Sequence, residues 1–382
     1  MKINKSLKHL IIVIYNKPMN NYYILPKINN IIQFKIYYDY NEITHPYISQ
    51  TLIQYYYELK NKIELLNSNN IFENFNEIIN PYEYIFSTVP GSNYSVSKLK
   101  TKSMMFYELF EIFQNTNILD TYNYEIMNSL IVGTNYEDSL ECLEMLRENY
   151  INDKFFCFHD YSSKLYNYIE NNKFNFIIYE TKNYVNMNHY IILLLEFILI
   201  TINNLKENSN VIIKINNIFY KPVIEIIYIL SSLFEKTIIT KPNTSNISNF
   251  DKYVVLQKFK LQENDLIKNN YITSINNFIQ FYNEINSNEK YELNIHSIID
   301  FNLPYYFLNK IDDINIIVGQ QQLEVFNQII NLLKSNNKED KIEVLKKNSI
   351  QKSVIWCEKY KIPCNKFSDK INIFLPLCVE NI

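Results

Sequence analysis

The chain has 382 residues, 47% hydrophobic and 20% charged, with a net charge of −3 and a pI near 6.0. That balance excludes a disordered tail and a protein-wide basic field, so any nucleic-acid contact must come from a local surface. The length suits two or three globular units. Only Gly91, Gly133 and Gly319 are glycine, which excludes the GxGxxG, P-loop and kinase-type phosphate cradles.

Asn, Ile, Lys and Tyr dominate, the signature of an AT-rich coding bias, so the 33 tyrosines do not by themselves indicate base stacking. Cys142, Cys157, Cys357, Cys364 and Cys378 form no CxxC pair, and the five histidines form no HExxH. The expectation is free thiols in a reducing compartment and no metal site. The apolar run at residues 10–15 is too short for a signal sequence. The longest run, residues 190–202, falls short of the roughly 20 needed to span a bilayer. A cytoplasmic protein without a membrane segment is expected.

In chain order, the first region offers strands at residues 10–15 and 31–38 and a helix over 47–66, together an accessory region ending near residue 85. A helix over 103–113 opens the next. Strand 129–132, helix 139–150, strands 154–158 and 174–179, helix 187–205, strand 210–215 and helix 222–236 follow. Such alternation implies right-handed βαβ units and a doubly wound parallel sheet. Strands 237–240 and 253–259 are joined by a polar loop with no helix, so they should pair antiparallel. A mostly parallel, Rossmann-like α/β sheet closing in a hairpin favours the class I methyltransferase fold over the dinucleotide-binding one. Helices over 265–286 and 324–334, and a last one ending near Tyr360, read as an α-helical extension. The expected units are 1–85, 86–262 and 263–382.

Three stretches carry a resemblance. They are Val211-Ile-Ile-Lys214-Ile, then Lys221-Pro222 opening a helix, and Ile239-Thr-Lys-Pro-Asn-Thr-Ser-Asn-Ile-Ser-Asn-Phe-Asp251-Lys-Tyr253-Val-Val. With residues 98–112 upstream, they resemble the FtsJ-like RNA 2′-O-methyltransferases, nearest the cap-methylating branch of large cytoplasmic DNA viruses. The resemblance covers about residues 85–262. It implies S-adenosylmethionine as methyl donor and capped mRNA as substrate; a capping enzyme or polymerase subunit is the partner expected of a descendant that keeps the fold without the activity.

The family works with a Lys-Asp-Lys-Glu tetrad whose second lysine deprotonates or orients the ribose hydroxyl. Lys214 matches that lysine; by residue type alone it could instead be an edge lysine reaching for water. Glu180 stands at the Asp position and Asp251 at the Glu position. The first Lys position falls on Glu108, with Lys102, more than a turn earlier, as the candidate substitute. Asn246 stands where the family usually has Arg. The cofactor loop aligns with residues 133–138. There Gly133 is kept, while Tyr136, Glu137 and Asp138 are expected to intrude on the cofactor. Asp160 either grips the adenosine ribose or caps a helix. Two readings follow: an active enzyme with a rebuilt loop, or a non-enzymatic RNA-binding or assembly subunit that keeps the fold.

Overall fold

A computed structural model describes residues 22–40, 45–66, 78–159, 168–169, 172–181, 184–262, 265–286, 293–335 and 338–365. Seven strands make the main sheet: β1 (Tyr22–Ile24), β3 (Asn128–Val132), β4 (Lys154–Phe158), β5 (Phe174–Glu180), β6 (Leu205–Ile215), β7 (Phe234–Thr240) and β8 (Lys252–Phe259). Their order is β1-β7-β8-β6-β5-β3-β4. Strands β4, β3, β5 and β6 run parallel, while β8 is antiparallel to both its neighbours, β6 and β7. The parallel core closing in a reversed strand is the Rossmann-like α/β arrangement that the helix-free connection implies.

Period-two alternation divides the strands between two faces. Val211, Ile213 and Ile215 of β6 face one core with Leu130, Ile177 and Leu256. That core also holds α4 (Met187–Asn204), α5 (Lys221–Leu233) and α6 (Leu266–Asn286). Ile212 faces the other core with Ile131, Ile178, Tyr253 and Val255. It is covered by α2 (Met105–Thr116), α3 (Tyr136–Leu146) and α8 (Lys338–Lys359). Helix α4 is long and apolar enough to cross a membrane by length and composition, but 78% of it is buried inside the fold. It is the central helix of the first core. The chain's only arginine, Arg147, is also internal: it forks onto Asp153 at 2.7 and 3.1 Å and donates to the Tyr122 and Glu125 carbonyls.

Local signals set several boundaries. Asn186 caps α4 by accepting from the His189 amide at 2.9 Å, Pro222 opens α5, and Asn117 ends α2 in the left-handed region. Helix α5 stops at Leu233, three residues earlier than its sequence suggests. Phe234 instead begins β7, paired with Phe259 and packed against its ring at 5.2 Å. Strand β6 starts early at Leu205 and carries an irregularity before Asn210.

The terminal regions interlock. Strand β1 was not legible in the sequence, yet it adds an edge to the main sheet beside β7. The 31–38 expectation shrinks to β2 (Tyr37–Asp39), paired with β9 (Asn294–Ser297); the 10–15 expectation lies outside the described residues. Helix α1 (Gln50–Leu66) crosses α7 (Tyr305–Leu333) at Gly319, where an added Cβ would run into Leu52.

Candidate active site

The same alternation places the site. Ile178 and Glu180, Ile212 and Lys214, and Val255, Tyr253 and Asp251 have matching parity on three adjacent strands or their extensions. They therefore fall on the face that α2 covers. Glu180 is the register partner of Lys214, and Lys214 that of Tyr253. All lie at the C-terminal edge of the parallel strands, where open α/β sheets place their ligands.

Helix α2 supplies Glu108, which is buried. Its Oε2 accepts from the Tyr253 hydroxyl at 2.5 Å and lies 3.5 Å from Lys214 Nζ. Burial by itself would lower the basicity of Lys214, but the fields of Glu108, Glu180 and Asp251, with the Glu108 hydrogen bond, prevail and raise its pKa. Lys214 is thus a fixed ammonium, not a base poised near neutrality. Tyr253 is driven well above the ordinary phenol range by burial and by Glu108, and remains a donor.

Asp251 accepts from Asn249 Nδ2 at 3.0 Å. Desolvation raises its pKa, while Lys214 and Lys241 pull the other way. Lys241 is buried and donates to Asn249 O at 3.0 Å, Asn249 Oδ1 at 3.2 Å and Asp251 O at 3.0 Å, tying the loop that presents Asp251. Burial brings Lys241 down to about 8 and its neighbour Lys252 to about 7. Sequence reasoning missed both lysines and Tyr253 as members of this centre. The Thr-Lys-Pro run beside the hairpin loop was the available signal. Glu111, on the same helix, accepts from Asn243, Thr244 and Trp356 and docks that loop against α8.

In the loop after β3, Tyr136, Glu137 and Asp138, expected to intrude on the cofactor, form the first turn of α3. Tyr136 packs on the second core, and Asp138 accepts from Ser103 N at 2.8 Å and Ser103 Oγ at 2.9 Å. Glu137 pairs with Lys102 on the surface. That exposed pair also occupies Lys102, the candidate substitute for the tetrad's first lysine, and the structure does not bring it to Lys214. The inverted charge at Glu108 is instead neutralised inside the centre by Lys214.

Glu180 faces this loop. Its carboxylate accepts from Asn135 N at 3.2 Å, Asn135 Nδ2 at 3.1 Å and Thr134 Oγ1 at 3.2 Å. A Cβ on Gly133 would sit 2.6 Å from Glu180 Cβ and 2.9 Å from its Oε2, so only glycine allows strand β5 this close. A carboxylate at the mouth of a glycine turn is an acceptor of the kind that holds an ammonium group. Asp160, expected at the ribose end, lies outside the described residues. Among the described residues no cluster of His, Cys, Asp and Glu could hold a metal ion.

No protein-family model matches the chain, and no curated protein matches it by sequence. Among solved structures it is similar to a Plasmodium falciparum protein described as a ribosomal RNA methyltransferase. The two share 15% identity over 41% of this chain and 98% of the other, with a TM-score of 0.32. That likeness is too slight to carry function. The strand order and the reversed β8 define a methyltransferase-like, Rossmann-type α/β fold.

Proposed function

We propose that the chain is an S-adenosylmethionine-dependent RNA ribose 2′-O-methyltransferase acting on capped mRNA. The observation that carries this is the meeting of Lys214, Glu180 and Asp251 on one face of three adjacent strand ends, beside the Gly133 turn. The donor, when bound, supplies an electrophilic methyl sulfonium. Glu180 and the Gly133 turn hold its amino-acid end. Lys214, kept charged by three carboxylates, donates to the ribose oxygen and fixes its line of attack. Asp251, made more basic by desolvation, accepts the hydroxyl proton. The capping or polymerase subunit expected as partner would deliver the transcript.

A second reading has its own support. Glu180 already takes the Asn135 amide and side chain for itself. A loop closed on its own acid suits a non-enzymatic RNA-binding or assembly subunit. Melting with and without S-adenosylmethionine separates the two. Saturation to a hundred times the dissociation constant stabilises by about 2.7 kcal/mol, a rise of several degrees. A rise, with Lys214→Ala keeping it but losing methyl transfer to capped RNA, supports the enzyme. No rise overturns it and leaves the binding subunit.

A further inference from the structure

The site residues account for neither the exposed lysines before α2 nor those at and just beyond the end of α8, although the fold brings the two groups together. Ser97 and Cys364 form an antiparallel bridge, Lys98 N donates to Pro363 O at 2.8 Å, and Asn365 N donates to Val96 O at 2.9 Å. Asn365 Nδ2 adds a bond to Ser95 O at 2.9 Å. This seam carries Lys98, Lys100, Lys359 and Lys361, all exposed, with Glu358 the exposed acid among them. The seam thus sets four exposed lysines beside one exposed acid. At one end stands Tyr94, 64% exposed. On the strip itself Lys359 Nζ lies 4.5 Å from the Tyr360 ring centre and donates to its hydroxyl at 3.0 Å.

At its other end the chain passes towards the candidate site: Tyr107 of α2 donates to Leu99 O, and Lys102 and Ser103 meet Glu137 and Asp138 at the start of α3, which follows the Gly133 turn. A basic track with a flat aromatic at its far end has the chemistry of a single-stranded nucleic acid: phosphates along the lysines, a base on the ring. A duplex would offer no unstacked base to Tyr94.

We propose that the Lys98–Lys100–Lys359–Lys361 seam, with Tyr94, is the track that holds single-stranded RNA leading to the centre at Lys214. The proposal rests on the RNA reading above for its ligand, but not on methyl transfer. The test uses the full chain and a fluorescent 12-nucleotide oligouridylate, with affinity measured across a salt series. Reversing Lys98, Lys100 and Lys361 to Glu should weaken binding and flatten the salt slope by about 2, since each phosphate that a lysine neutralises on a single strand adds roughly 0.7 to it. Tyr94→Ala should weaken binding roughly tenfold with the slope unchanged. Lys62→Glu, on the exposed face of α1, should change neither. The triple variant should melt as the parent does and keep any S-adenosylmethionine response. Equal affinity and slope in the parent and triple variant, or no RNA binding by the parent, overturns the track. Absence of the cofactor response in the parent, with RNA binding intact, overturns the enzyme reading and leaves the track.

Discussion

Replacing Glu108 by Gln preserves its shape and deletes its charge, and so tests the buried core of the site. Only 9% of the Glu108 side chain and 18% of that of Lys214 are exposed. Breaking a buried pair by removing one partner costs about 3–5 kcal/mol. Here the 3.5 Å separation is long, and Glu180 and Asp251 continue to compensate Lys214. The expected cost of Glu108→Gln is therefore nearer ~2 kcal/mol. Lys214→Met strands Glu108 with the Tyr253 hydroxyl as its remaining support, at a similar cost of ~2 kcal/mol. Additivity would put the double variant ~4 kcal/mol below the parent. Removing both charges together should instead cost ~2–3 kcal/mol, a coupling of about 1–2 kcal/mol, as contacting residues show. Urea unfolding of all four proteins at pH 7, with equal slopes, measures it. A coupling under about 0.5 kcal/mol is the size seen between independent sites. It would refute the argument that Glu108 holds Lys214 as a cation.

Stability should rise with pH between about 7 and 10. The folded-state values of Lys252 and Lys241, about 7 and about 8, lie below their ordinary 10.5. In that window the unfolded chain binds more protons, so each lysine adds up to about 1.4 kcal/mol per pH unit. Lys214, with its raised value, gives up its contribution only above 10.5. Melting in a buffer series checks the sign, and a midpoint that falls from pH 7 to 9.5 would contradict it. Gly319→Val should cost about 1–3 kcal/mol by overpacking α7 against Leu52, and Leu52→Ala in the same protein should recover part of it. Arg147→Lys keeps the charge but loses the fork onto Asp153 and the Tyr122 and Glu125 carbonyls. We expect a loss of about 2–3 kcal/mol in thermal or urea unfolding, and a loss below 0.5 kcal/mol would deny it a structural role.

Residues 128–259 were legible because they obey local rules. Short apolar runs alternate with long amphipathic ones, and one polar helix-free connection shows where the sheet must reverse. The resemblance singled out Lys214, Glu180 and Asp251, but their common face follows from the register of β5, β6 and β8, which no single strand fixes. Other features had no local signature. Strands β1, β2 and β9 have three or four residues each and exist through partners more than 200 residues away. The charge state of Lys214 depends on Glu108, 106 positions earlier and brought beneath the sheet by α2. The directions of Tyr136 and Glu137 were also hidden, because a helix begins there and turns Tyr136 to the core and Glu137 to Lys102 at the surface. Sequence alone determined which residues lie on the same face of a strand, because that follows from backbone geometry over a few residues. Only the tertiary structure decided what meets them across the face, because that depends on how distant elements pack and on the burial and charge that each side chain finds there.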